Sequence, residues 1–136
     1  MVALTTHRNT PAALGDERQA PVAANARIFL GAMVQINAAG FAIQGSATAA
    51  NVTIGRAEVA VDNTGGANGA LTVDVRRGRF RYVNSAAGDL IARTEIGKPC
   101  YVVDDQTVAK TNNAGARPVA GTVYDVDALG VWVEIA

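Results

Sequence analysis

The sequence predicts an all-β protein, a small β-barrel or sandwich of about seven to nine short strands with an extended N-terminal arm and at most one short helix. Three observations lead to this prediction. Short apolar runs alternate with polar residues at a period of two, clusters of Gly, Asn and Asp separate these runs, and no long segment has helical periodicity. With 136 residues and 49% hydrophobic content, the chain suits one compact domain.

Residues 1–25 are predicted to form the arm, ahead of a single β domain over residues 26–136. The arm has neither a helical nor a strand-like apolar period, and Pro11, Gly15 and Pro21 interrupt it. It retains apolar side chains such as Leu4 that could anchor it on a neighbouring surface. A frayed terminus is the alternative interpretation, because chain ends are often disordered.

Five strands are predicted in the first half of the β domain. They cover residues 27–36, 41–43, 52–62, 71–76 and 78–83. Apolar and charged side chains alternate from Arg56 to Asp62, which indicates a strand with one buried face. We expect consecutive strands to pair in this region.

The second half contains the only helical pattern and four further predicted strands. Residues 85–98 have an apolar spacing that fits one or two helical turns. The strands cover residues 100–103, 107–110, 119–126 and 130–135. A turn that ends at Gly130 predicts a hairpin between the last two.

Composition argues against several classes of function. Twelve basic residues balance twelve acidic ones, whereas binding to nucleic acid or to an anionic membrane requires a surplus of Lys and Arg. No stretch approaches the roughly 20 apolar residues of a membrane span. The single cysteine, Cys100, is typical of a reducing, intracellular compartment, and we expect it to be a buried structural residue. The only histidine, His7, lies in the arm, so we predict no enzyme activity, no cofactor and no metal.

The strongest local charge feature is a run of arginines that consists of Arg76, Arg77, Arg79 and Arg81. Strand alternation places the last three on one face. They could bind phosphate, nucleic acid or an acidic subunit surface, because the arginine fork suits carboxylates and phosphates. The alternative is a cross-strand ladder with acids such as Glu58, Asp62 and Asp74.

Acidic residues in the C-terminal part could complement these arginines in a head-to-tail ring of subunits. They are Asp104, Asp105, Asp125, Asp127 and Glu134. The aspartate pairs also suggest a cation or paired-carboxylate site. Each pair lies where a strand meets a turn, so local turn hydrogen bonding is the favoured interpretation. Trp132, the only tryptophan, is predicted to anchor the core or a subunit interface.

Several segments, in their order along the chain, resemble a known family. They are PVAANARIFLG at residues 21–31, GRAEVAVDNTGGA at 55–67, VRRG at 75–78, IGK at 96–98, YVVDDQTV at 101–108 and VWVEI at 131–135. Together they span most of the chain and resemble the head decoration proteins of bacteriophages and prophages, also called capsid cement proteins.

This resemblance implies a structural virion protein without catalytic activity. Such a protein is made in the bacterial host cytoplasm and is located on the outer capsid surface, where it stabilises the expanded head. Its partners would be the major capsid protein and itself, as a homotrimer, with no nucleic acid and no membrane. In that setting we expect capsid contacts from the arm residues Leu4, Thr5, His7, Arg8, Asn9 and Thr10. We expect a subunit interface at Arg77, Arg79, Arg81 and Trp132.

A carbohydrate-binding or host-attachment module of a phage particle is the alternative function. In such a module, aromatic side chains stack on sugar rings while nearby Asp and Asn side chains hold the hydroxyl groups. The candidates for stacking are Tyr82, Tyr101, Tyr124 and Trp132. The low aromatic content of 5% makes this function the less favoured one.

Overall fold

The computed structural model describes all 136 residues and confirms the predicted all-β class. Its strands are β1 (Glu17–Pro21), β2 (Arg27–Ile28), β3 (Met33–Ile36), β4 (Ala42–Gln44), β5 (Val52–Ala57), β6 (Val61–Asp62), β7 (Thr72–Arg76), β8 (Gly78–Asn84), β9 (Pro99–Val102), β10 (Thr107–Ala109), β11 (Val119–Asp127) and β12 (Gly130–Ile135). Two single-turn 3-10 helices, Ala87–Asp89 and Arg93–Glu95, replace the one short helix expected between residues 85 and 98. Neither of them is long and apolar enough to cross a bilayer.

The N-terminal half forms an antiparallel five-stranded sheet in the order β1-β7-β5-β3-β4. The sheet curls, so that Val22 after β1 bridges Ala42 of β4, and Ala23 donates its N–H to the Ala42 carbonyl at 2.8 Å. Strands β2 and β6 pair separately. These strands enclose a core of small aliphatic side chains, among them Val22, Val34 and Val73.

The C-terminal half closes into a five-stranded barrel in the order β10-β8-β12-β11-β9. Side chains alternate along β8, with Phe80 and Tyr82 in the barrel core and Arg79 and Arg81 outside. The barrel closes because β10 pairs with both β8 and β9. It therefore has no free strand edge.

Met33 joins the two halves. It belongs to β3 of the sheet, yet its fully buried side chain packs in the barrel core. Its N–H donates to the Asp105 carbonyl at 2.8 Å, and Ser46 bridges Asp104 nearby. The sheet and the barrel therefore pack directly against each other.

More strands are present than the sequence predicted. The predicted strand over 27–36 is broken at a turn where Gly31 has a positive φ of 87°, and the one over 52–62 is broken after Ala57. The expected pairing of consecutive strands holds for β5 with β7, but β7 and β8 belong to different sheets. The alternation of one strand does not reveal which sheet the strand joins.

The arm is shorter than the sequence predicted. Residues 17–21 pair with β7 along the whole of β1, and Ala20, Val22 and Ala23 are buried. The boundary predicted at residue 25 is therefore corrected to residue 16. Residues 1–16, called the arm from here on, are exposed and contain no strand.

Candidate functional site

Three predicted interface residues meet on the outer face of the barrel, where β8 pairs with β12. Arg79 lies opposite Glu134, and Arg81 lies opposite Trp132. The Arg79 Nε is 3.6 Å from Glu134 Oε2, and the Arg81 Nη1 is 3.7 Å from Asp127 Oδ2. This outer face, called the arginine ladder, thus contains two solvent-exposed ion pairs, one between the neighbouring strands β8 and β12 and one from β8 to the end of β11.

Arg77 lies apart from the ladder, in the link between β7 and β8. Its Nε is 3.7 Å from Asp16 Oδ1, and its backbone N–H donates to the Asp16 carbonyl at 2.9 Å. Arg77 therefore fixes the point where the arm meets the folded body.

Arg79 and Arg81 do not pair with the acids expected in a cross-strand ladder. They pair with Glu134 and Asp127, which were expected to face a second subunit. Glu58 pairs with Arg56 at 2.8 Å, and Asp62 accepts hydrogen bonds from Thr64. Asp74 forms no ion pair. The ladder interpretation thus fits the geometry with acids from the C-terminal hairpin.

Aromatic rings complete the arginine ladder. The Arg79 guanidinium lies over the Tyr124 ring at 4.1 Å, and that of Arg81 lies over the Trp132 ring at 5.6 Å. The Trp132 indole Nε1 donates to Asp127 Oδ2 at 3.0 Å. A guanidinium group therefore covers one face of each of these two rings.

Asp127 connects the arginine ladder to the turn between β11 and β12. Its carboxylate accepts the N–H groups of Leu129 at 2.8 Å and Gly130 at 3.1 Å, which closes the β11–β12 turn. The Leu129 N–H, and then the Trp132 indole, hold the pKa of Asp127 below its ordinary value. This arrangement agrees with the turn interpretation of the aspartates.

The other acidic residues named from the sequence also contact groups of their own chain. Asp104 accepts the Gln106 N–H at 2.9 Å, and Asp125 pairs with Arg93 at 3.1 Å. Burial, and then the neighbouring Asp104, raise the pKa of Asp105. Three of the acids expected to face a second subunit, namely Asp125, Asp127 and Glu134, thus pair with arginines of their own chain. No group of three or more His, Cys, Asp or Glu side chains is placed to hold a metal ion.

The six arm residues predicted to contact a capsid, Leu4, Thr5, His7, Arg8, Asn9 and Thr10, are all exposed. The hydrogen bonds of residues 1–14 stay within the arm, from Thr6 to the His7 carbonyl and from Thr10 to the Arg8 carbonyl. The arm is thus attached to the body only at its base.

Two residues considered for function, Cys100 and Tyr82, are buried in the barrel core. Cys100 is fully buried, its thiol donates to the Gly121 carbonyl at 3.7 Å, and burial raises its pKa to about 12. The prediction of a buried structural cysteine is confirmed. Tyr82 is also buried, and burial raises the pKa of its phenol. The proposed stacking of Tyr82 on a sugar was therefore wrong.

A groove that no sequence pattern predicted lies where the sheet meets the barrel. This junction groove has a volume of about 640 Å³, and its lining includes Asn51, Val52, Tyr101, Asn112, Arg117 and Val119. The only sequence feature that relates to the groove is strand alternation, which places Tyr101 on the outer face, between Cys100 and Val102. The approach of β5 to β11 cannot be read from local patterns.

Comparisons of the chain with protein-family models, with curated proteins and with solved structures find no match.

Proposed function

We propose that the protein is a capsid decoration, or cement, protein that binds the outside of an expanded phage head and stabilises it as a homotrimer. The ordered set of segments that resembles cement proteins supports this proposal. So does the division of the molecule into a closed barrel and an exposed arm. The major capsid protein is the partner, and the capsid surface is the location.

The observation that carries the proposal is the junction of the arm with the open edge of β1. Arg77 donates to Asp16 and Val22 donates to Leu71, so even-numbered residues of β1 direct their backbone groups toward β7. Antiparallel pairing alternates, and Glu17 and Gln19 therefore direct their backbone groups away from the sheet. No strand covers this side of β1. An extended segment of a shell protein can pair here through its main chain.

The arm adds side-chain contacts to this backbone edge. Val2, Leu4 and Leu14 are exposed apolar side chains without a partner in their own chain. Each contributes a small amount on burial, on the order of 1 to 2 kcal/mol. In a trimer the contacts are made three times on a rigid shell, so weak individual contacts give strong attachment.

Co-sedimentation with expanded shells that lack their own decoration tests the proposal. We expect saturable binding by the full chain and at least about a tenfold loss for residues 17–136, which keep β1 but lack the arm. Leu4→Asp should weaken binding, whereas Leu90→Asp, the same change at an exposed leucine of the barrel, should not. Equal binding by the full chain and the truncated chain would contradict the role of the arm, and no binding by either would contradict the function.

We assign the trimer contact to the arginine ladder, because Arg, Tyr and Trp side chains held in fixed geometry are typical of interface centres. Replacing Arg79 and Arg81 by Glu should lower the mass measured by light scattering. Arg27→Glu reverses the charge of an exposed arginine on β2, in the N-terminal half, and serves as the control. An unchanged mass in the double variant would remove the ladder from the interface.

A further inference from the structure

The junction groove contains a polar group that the fold holds in place but does not use. Asn51 is only 7% exposed and lies at the groove. Its side-chain Nδ2 donates to Gln35 Oε1 at 3.0 Å and to Ser46 Oγ at 3.3 Å, which fixes the orientation of the amide. The opposite atom, Oδ1, accepts no hydrogen bond from the protein. This oxygen can therefore accept a hydrogen bond from a ligand without losing one to the protein.

Gln35 makes this orientation rigid. Its side chain is completely buried, and its amide also accepts the Ser46 N–H at 2.9 Å and donates to the Ser46 carbonyl at 3.2 Å. Both Oε1 and Nε2 of the Gln35 amide thus already form hydrogen bonds within the protein. If the Asn51 amide rotated, Gln35 Oε1 would lose the hydrogen bond from Asn51 Nδ2.

Three further residues bring uncommitted polar atoms to the groove. The Tyr101 hydroxyl forms no hydrogen bond with the protein. Asn112 uses its Oδ1 to accept the Gly115 N–H at 3.3 Å, and its Nδ2 remains free. Arg117 uses Nη1 to bind Asp89 Oδ2 at 3.2 Å and the Thr111 carbonyl at 3.1 Å, and its other guanidinium nitrogens make no hydrogen bond with the protein. The groove therefore offers both an acceptor and donors.

Apolar surface lies beside these polar atoms. Tyr101 is on the outer face of β9, directly opposite Val119 of β11. Val119 and Val52 are 51% and 62% exposed, although each belongs to a strand. No Asp or Glu side chain lines the groove, and Asp89 already neutralises Arg117. The groove thus suits a ligand that is uncharged, rich in hydroxyl groups and apolar on one face.

We propose that the junction groove binds a neutral saccharide. Tyr101 and Val119 pack against the apolar face of a sugar ring, and Asn51 Oδ1 accepts a hydroxyl hydrogen. The Tyr101 hydroxyl, Asn112 and Arg117 donate to hydroxyl oxygens. The volume of about 640 Å³ is in the range of small-ligand sites. An extended peptide fits less well, because β5, β9, β11 and β12 each have a neighbouring strand on both sides. This site is independent of capsid binding, since it shares no residue with the arm or the arginine ladder.

Saturation-transfer NMR and calorimetry on the full chain with maltotriose, cellotriose and chitotriose test this assignment. We expect at least one of these sugars to bind with millimolar or tighter affinity. Tyr101→Ala should weaken binding about tenfold, and Asn112→Ala about three- to tenfold, the effect of one hydrogen bond. Tyr101→Phe keeps the ring and the packing, so it should weaken binding about threefold even if the alanine variant folds poorly.

Tyr124→Ala is the matched control, because it removes an exposed tyrosine from the arginine ladder and should leave sugar binding unchanged. The assignment is overturned if none of the three sugars binds. It is also overturned if binding survives Tyr101→Ala and Asn112→Ala but is lost on Tyr124→Ala. Neither result affects the shell-binding measurement, which uses the arm.

Discussion

The two halves of the molecule differ in whether they leave a strand edge unpaired. In the barrel every strand pairs on both sides, so no backbone edge remains for another chain. In the sheet, β1 leaves the backbone groups of Glu17 and Gln19 open and continues directly into the exposed arm. Under our proposals the barrel offers partners only side chains, in the arginine ladder, whereas the sheet edge also offers backbone groups.

The hydrophobic cores of the sheet and the barrel also differ, in the size of the side chains that they bury. Each core contains 12 buried residues, but six of those in the sheet are alanines, against one in the barrel. Alanine removes little apolar surface from water, so the sheet core contributes less to stability than the barrel core. The sheet depends on its contact with the barrel, and Met33 provides that contact.

Removing the Met33 side chain should produce the largest effect on stability. Met33→Ala leaves a cavity in a closed barrel that cannot collapse around it, so the free energy of unfolding should fall by about 3 kcal/mol. Val34→Ala, at the next residue, faces the sheet core and should cost about 1.5 kcal/mol. Chemical denaturation followed by Trp132 fluorescence measures both. An equal or smaller loss for Met33→Ala would contradict the role of Met33 as the link.

Adding a methyl group where the barrel closes should have a somewhat smaller effect. A Cβ at Gly121 would overlap the Glu134 carbonyl oxygen and lie 2.9 Å from Val133 Cγ1. Gly121→Ala should therefore cost about 2 to 3 kcal/mol in the same denaturation experiment. Gly88→Ala is the control, since a Cβ there meets nothing within 4 Å. A similar loss for both variants would mean that close strand approach does not limit the barrel.

The smallest effects concern two aspartates with opposite pKa shifts. The depressed pKa of Asp127 stabilises the folded state above the ordinary aspartate pKa, and this contribution is lost as the pH falls through the folded value. Asp127→Asn should thus be less stable than the parent protein at pH 7, with the difference shrinking near pH 3. The raised pKa of Asp105 means that its charge opposes folding, so Asp105→Asn should be slightly more stable at pH 7. Two shifts of the same sign in urea titrations would contradict this account.

Sequence patterns predicted the barrel better than the sheet, and the reason is physical. Strands β9 and β12 alternate clearly because one face of each is buried in the barrel core. Strand β1 reads Glu-Arg-Gln-Ala-Pro and buries only Ala20, so its alternation is invisible in the sequence. An edge strand of this kind is recognised only through its partner, β7.

The arginine ladder was predicted in part, and the junction groove was not. Alternation placed Arg79 and Arg81 on one face, but their partners Asp127 and Glu134 come from β-pairing across a long stretch of chain. The groove depends on the packing of the sheet against the barrel, as in the hydrogen bond from Thr53 Oγ1 to the Val119 carbonyl at 3.0 Å. No local pattern encodes such a contact.

Hydrogen exchange of the protein, free and bound to expanded shells, tests the central claim most directly. The account predicts new protection of backbone amides in residues 2–16 and at Glu17 and Gln19, with barrel amides unchanged. Protection confined to the barrel, with none in the arm or along β1, would contradict it.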